Sequence, residues 1–253
     1  MVFLDSILTP ALLPLFAWNP FWGIVIFSFV ISLLITLAYK YLTNQNEMKR
    51  LKEEQKEFQK RMKELKEHPE EMMKIQKEAM SKNFEYMKHS LKATLITMLP
   101  IILVFSWMNG HLAFEPINPM ETYSVTAMFK EGLTGEVELV PDEGTTLTSA
   151  AKLPMASEVR WNLKSSEGLH TLTVKSADSI QTKNVLIGTE LKSEEQISLF
   201  QHSDITQIKI NYNKLRPLGP GRALFGWEPG WLGLYFIFSV LFSVVQRKML
   251  NVY

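Results

Sequence analysis

Apolar residues run along this chain in three long blocks, separated by one densely charged block and one polar, alternating block. No charged side chain occurs over the 34 residues between Asp5 and Lys40. None but His111 occurs between Lys92 and Glu115, and none over the 18 residues between Glu228 and Arg247. A hydrocarbon layer about 30 Å thick takes roughly 20 apolar residues of helix. Three segments supply that length: residues 20–42, residues 93–109 with room to continue to Phe114, and residues 229–246. The third is short, so it thins the bilayer beside it or stands with little tilt. Residues 1–16 are apolar too, but they lack a basic n-region and a small-residue cleavage site. Pro10 and Pro14 interrupt that run, which reads as an interfacial or partly inserted segment and not a signal peptide.

The charged block carries the clearest periodicity. Met48, Leu51, Gln55, Phe58, Met62 and Leu65 recur at 3,4,3,4,3 spacing, the seam of a heptad. His68-Pro69 stops the pattern, because proline lacks the N–H and clashes with the preceding turn. Pro69, Glu70 and Glu71 then suit a fresh helix start. A second seam is expected at Met73, Met80, Phe84, Met87 and Leu91. Two arms of similar length predict an antiparallel coiled-coil hairpin, each arm rising roughly 30 Å. Arg61, Lys63, Lys66, Lys74 and Lys77 surround its tip and offer a contact for ribosomal RNA, anionic lipid or another partner. Interleaved Glu64, Glu67, Glu70 and Glu71 support the plainer view that these charges solvate the hairpin. The methionines are seam residues or a pliable apolar surface.

Between residues 120 and 215 the period changes from helical to alternating. SVTAMFK, GEVELV, EVRWNL, LHTLTVK, KNVLIG and ITQIKINY are separated by GLTG, PDEGTT and SSEG, which predicts a small β-sandwich. Trp161 is expected in its core, and His170 and His202 are read as structural or surface residues, since nothing in their spacing requires a metal.

Charge sets the expected orientation. Residues 40–92 hold 14 Lys+Arg against 10 Asp+Glu, whereas residues 110–228 hold 11 against 15. The positive-inside rule places the first block in the cytoplasm, with Arg247 and Lys248 closing the third span on the same side. Trp18, Trp22, Trp107, Trp227 and Trp231 fall at the opposite ends, as interfacial rings should. The reading is a multi-pass cell-membrane protein with its N-terminus outside and its C-terminus cytoplasmic. It divides into an interfacial segment (1–17), a first transmembrane helix (18–42), a cytoplasmic coiled-coil hairpin (43–92), a second span (93–114), an extracytoplasmic β-rich domain (115–228), a third span (229–247) and a tail (248–253).

Candidate chemistry narrows the function classes. The chain has no cysteine, which excludes thiol catalysis, disulfides and thiolate metal sites. Phosphate-loop, zincin, nucleophile-elbow and dinucleotide motifs are missing, so no enzyme and no cofactor is expected. No Asp, Glu, Lys, Arg or His lies within the span cores, which argues against proton relays and ion-coupled transport. Hydroxyls take their place. Ser28, Ser32 and Thr36 share one stripe of the first span, Thr94 and Thr97 a face of the second, and Ser239, Ser243 and Gln246 a face of the third. Either they bond to their own helices and glue the spans together, or they line a hydrated groove that opens to the cytoplasm and to lipid.

Three N-out spans, a hairpin between the first two and the ending GWEPGWLGLYFIFSVLFSVVQRKML make the chain resemble the archaeal YidC-like proteins. These are relatives of the YidC/Oxa membrane insertases and of the third subunit of the endoplasmic-reticulum membrane protein complex. The resemblance covers residues 20–114 and 226–253, and residues 230–250 are its most specific part. It implies a cytoplasm-facing polar groove, a hairpin that engages ribosomes or nascent chains, and energy-independent insertion of membrane proteins with short polar tails. The implied partners are nascent membrane proteins, the lipid bilayer, the ribosome and further membrane-protein subunits. The groove arginine of many bacterial members is missing from residues 28–36, and the β-domain enlarges the loop before the third span. The rival reading is a non-catalytic membrane scaffold or receptor joining an outer β-domain to a cytoplasmic coiled coil.

Overall fold

The computed structural model describes residues 2–65, 68–177, 179–224 and 226–252. Helix α1 spans Val2–Trp18, α2 Pro20–Leu42, α3 Gln45–Glu64 and α4 Pro69–Leu112; nine strands follow among the described residues, and α5 spans Trp231–Met249. Among the described residues, three stretches are long and apolar enough to cross a membrane: Pro20–Leu42, Ala93–Leu112 and Trp231–Met249. With the strands lying between the last two, the architecture is that of a multi-pass membrane protein with an inserted β-domain. The chain forms two compact units, one of residues 22–105 and 232–253, the other of residues 1–21 and 106–231.

In the first unit, Thr43 ends α2 by donating from Oγ1 to the Tyr39 carbonyl at 2.6 Å. Asn44 caps α3, its side chain accepting from the Glu47 amide. α3 and the first part of α4 run antiparallel. Gln55 donates to Asn83 at 3.0 Å, Lys82 reaches Glu54 at 3.7 Å and Arg50 reaches Glu85 at 3.8 Å. The α3 seam turns inward as its spacing predicts: Met48 and Leu51 are fully buried, and Gln55, Phe58, Met62 and Leu65 are half-buried. The expected seam on α4 does not. Met73, Met80, Phe84, Met87 and Leu91 are all more than 50% exposed, and the face turned to α3 carries Met72, Ile75, Ala79, Lys82 and Tyr86. In that rotation Lys82, Asn83 and Glu85 reach partners on α3, which they could not do with the Phe84 stripe turned inward. Tyr39, Met48, Ala93 and Val252 form a buried cluster at the root, with Tyr86 and Leu250 against it. The Arg247 guanidinium sits 4.8 Å above the Tyr39 ring. α4 continues without a break from the arm into the apolar stretch, with Pro100 inside it.

In the second unit, the six sequence-legible strands form at Tyr123–Phe129 (β1), Glu136–Val140 (β2), Glu158–Ser165 (β5), Gly168–Lys175 (β6), Ile180–Ile187 (β7) and Ile205–Ile210 (β9). Three short strands join them: Thr145–Leu147 (β3), Lys152–Pro154 (β4) and Ile197–Leu199 (β8). One sheet has the order β3-β5-β1-β9-β8 and the other β4-β2-β6-β7. Alternating residues of both meet in one core, including Val125, Val137, Leu139, Leu172, Val174 and Ile208. Trp161 lies fully buried there, its indole donating to the Ala151 carbonyl at 3.1 Å. Lys183 points inward from edge strand β7 and donates to Ser198 at 2.8 Å, an inward charge that discourages pairing of that edge with another chain. The α1 helix runs through Pro10 and Pro14 instead of breaking at them. Phe16 is fully buried, and Thr9 accepts from the Trp107 indole at 3.0 Å.

His170 belongs to a buried network. Its Nε2 faces the Ser166 carbonyl at 2.9 Å, and its Nδ1 faces Asp142 at 3.0 Å and Thr145 at 3.1 Å. His202 sits far along the chain in a turn, with φ of 61°. Partial burial works to raise the Asp142 carboxyl, but the Thr171 amide, His170 and the Thr145 hydroxyl outweigh it and hold it below its ordinary value. A depressed carboxylate stabilises the fold above its unfolded pKa of about 4, and that stabilisation is lost as pH falls through the lower folded value. Acid titration of unfolding should therefore show a β-domain that weakens below about pH 4. Asp142→Asn should be less stable than the parent at neutral pH and flatter in that acid range. An unchanged acid slope would remove Asp142 from the account.

Candidate functional site

The hydroxyl stripe of α2 faces inward: Ser28, Ser32 and Thr36 are all buried. Each donates to its own helix, Ser28 to the Ile24 carbonyl at 2.7 Å, Ser32 to Phe29 at 3.0 Å and Thr36 to Ser32 at 2.7 Å. Such back-bonding satisfies the proton but leaves the hydroxyl lone pairs without a donor from their own helix. Thr94 and Thr97 do the same on α4, donating to the Ser90 and Ala93 carbonyls.

On α5, Ser239 and Gln246 present buried atoms with no hydrogen-bond partner among the described residues, Ser239 Oγ and Gln246 Oε1. Ser239 stands next to the Tyr235 phenol, outside bonding geometry. Gln246 Nε2 donates at 3.2 Å to the Phe29 carbonyl, which ties α5 to α2. Aromatic contacts join α5 to α2 and to α4. Phe29 meets Phe242 edge-on at 5.4 Å, and Tyr235 meets Phe105 edge-on at 4.8 Å and Phe27 at 6.1 Å.

Between α2 and α5 lies an open cavity of about 310 Å³, lined by Ser32, Ile35, Tyr235, Phe236, Ser239, Val240, Ser243 and Val244. It brings Ser32 of one helix to Ser239 and Ser243 of another, 207 and 211 positions along the chain. Ser28, Thr36 and Gln246 flank it in sequence on the same two helices without lining it, and Thr94 and Thr97 are not part of it. Tyr235 is the lining residue that the hydroxyl stripes did not reveal. The i, i+4, i+8 series Tyr235, Ser239, Ser243 would have included it, had a phenol been counted among the hydroxyls. A water needs two to four polar partners and room for one probe sphere; the cavity has the room, and four of its eight lining residues, Ser32, Tyr235, Ser239 and Ser243, carry hydroxyls.

At the other end of this unit, Arg61 is tied to Glu57 at 2.5 Å, while Lys63, Lys74 and Lys77 are exposed. Lys66 lies outside the described residues.

Two comparisons, with curated proteins and with solved structures, find no match. The model of one family, Integral membrane protein EMC3/TMCO1-like, matches residues 2–155. The matched stretch takes in α1, α2, the paired arms and the whole of α4, and it ends inside the β-domain, so residues 230–250 lie beyond it. Two apolar helices joined by a charged helical pair are what the match and the geometry share. The chain belongs to the EMC3/TMCO1-like integral membrane proteins, within the Oxa1/YidC/Alb3 superfamily.

Proposed function

We propose that this protein is an energy-independent insertase for membrane segments with short polar tails. The observation that carries the reading is the cavity between α2 and α5, where Ser32, Ser239, Ser243 and Tyr235 converge within otherwise apolar helices. Moving a polar tail through hydrocarbon leaves each backbone group unsatisfied at several kcal/mol. Hydroxyls that hold water partway through the bilayer shorten the dry path, and a third helix of only 19 residues allows local thinning. The apolar part of the substrate then leaves sideways into lipid, its burial at about 25 cal/mol per Å² driving the step. No nucleotide takes part, and no residue acts as a chemical catalyst.

In this reading α3 and the first part of α4 form a cytoplasmic coiled-coil hairpin, and Lys63, Lys66, Lys74 and Lys77 at its tip contact the ribosome or another partner. The β-domain faces outside, the C-terminus lies in the cytoplasm, and further membrane-protein subunits complete the assembly. Thr94 and Thr97 remain part of the proposed substrate path only if α4 turns them toward it during insertion.

The topology has its own test. Protease added outside intact cells should cut within residues 120–215 and spare the paired arms. Cleavage near Pro69 with a protected β-domain would reverse the orientation. The scaffold reading draws support from the size of the β-domain, and it separates from the insertase reading by reconstitution. Vesicles carrying the purified protein should protect the tail of a short-tailed test substrate, and a scaffold should leave that tail as exposed as protein-free vesicles do.

A further inference from the structure

The arm of α4 that leaves Pro69 presents an apolar stripe to solvent: Met73, Met80, Phe84, Met87 and Leu91 are between 54% and 66% exposed. At 3.6 residues per turn these five fall within roughly 40° of one line along the helix. Isolated exposed apolar residues are ordinary, but a continuous stripe on a charged helix marks an interaction face. Its flanks are asymmetric. Lys77 and Lys88 border one side with Lys74 behind them, whereas Gln76 and Asn83 border the other.

The ion pairs sharpen this asymmetry. Arg50, Arg61 and Lys82 all meet carboxylates: Arg50 with Glu47, Glu54 and Glu85, Arg61 with Glu57, and Lys82 with Glu54 and Glu85. The hydrogen bond and charge of the Glu85 carboxylate hold the Lys82 ammonium above its ordinary value. Lys74, Lys77 and Lys88 are exposed and make no ion pair among the described residues. Glu71, Glu78 and Glu85 project roughly 100° or more around the helix from Phe84, leaving Glu70 alone at the far end of the lysine flank.

An apolar seam edged by unpaired cations is one half of a helix-to-helix interface whose other half carries apolar seam residues and acidic flanks. We infer that the Met80, Phe84 and Met87 face of this arm docks an acidic amphipathic helix of a partner protein, which packs along α4. The inference rests on the surface of the arm, not on the insertase reading, and its failure leaves the α2/α5 cavity untouched.

The test uses the full chain in nanodiscs of zwitterionic lipid and two fluorescent three-heptad helical peptides. The peptides share a leucine seam and differ in their flanks, glutamate in one and lysine in the other. The acidic peptide should bind at least about tenfold more tightly, a difference that narrows as salt is raised. M80Q/F84Q should weaken it about tenfold, while K77E/K88E should reverse the preference in favour of the lysine peptide. All four positions face solvent, so helix content should hold in both variants. Equal binding of the two peptides, or indifference to M80Q/F84Q, overturns the inference. A probe at Ser81→Cys that brominated anionic lipids quench, in nanodiscs that bind neither peptide, overturns it in favour of a lipid surface.

Discussion

Leucine at positions 32, 239 and 243 together is expected to lower insertion of a polar-tailed substrate at least about tenfold while leaving the helices assembled. The three serines line one cavity of about 310 Å³, so the added side chains fill space that exists. Ser28 and Thr36 must stay as they are, because they are buried outside that cavity and leucine there would overpack the α2 contact. The triple variant converts a polar indentation to hydrocarbon, and fully apolar segments should still partition normally. Protection of the substrate tail measures the first effect. Detergent-solubilised helicity and thermal midpoint report whether the variant remains folded. A folded triple variant with undiminished insertion would transfer the function to the paired arms and the β-domain.

The second large effect concerns the root of the hairpin. Leu51→Asp buries a carboxylate with no partner at a position that is 0% exposed, and an uncompensated buried charge costs about 3–5 kcal/mol. Loss of the α3 to α4 contact and protease sensitivity near Asn44 and Leu65 should follow. Phe84→Asp is the matched control, equal in chemistry but on the outward face, and it should leave both arms helical and protease-resistant. If the two substitutions behave alike, the rotation of α4 described above is wrong.

That rotation also shows where sequence reasoning stops. The charge-free runs located all three apolar helices, because a bilayer-length helix is set by composition and needs no partner. Alternation located six strands and placed Trp161 in the core, since most inward residues along β1, β5 and β6 are apolar and recur at every second position. The three short strands stayed hidden because three residues carry too little alternation, and β3 begins within the PDEGTT turn signal. The α4 stripe had the spacing of a seam, but spacing states that residues share a face and not what that face meets. In the structure the face carrying Met72, Ile75, Ala79 and Tyr86 meets α3 instead, and Lys82, Asn83 and Glu85 reach α3 partners from its edges. The same limit applies to the candidate site. The hydroxyl stripes were legible, yet only the packing of α2 on α5 separates Ser32, Ser239 and Ser243 from Ser28 and Thr36, and removes Thr94 and Thr97 from the cavity.

The most direct test of the central claim is insertion by the purified full-length protein in vesicles of defined lipid, without nucleotide, soluble factors or a membrane potential. A membrane segment with a short polar tail is presented from the side the paired arms face, and protection of the tail from added protease is followed over time. The groove account predicts protection that rises with protein content, exceeds that of protein-free vesicles and falls in the variant with leucine at 32, 239 and 243. Protection no greater than in protein-free vesicles, from protein shown to be folded and correctly oriented, would contradict it.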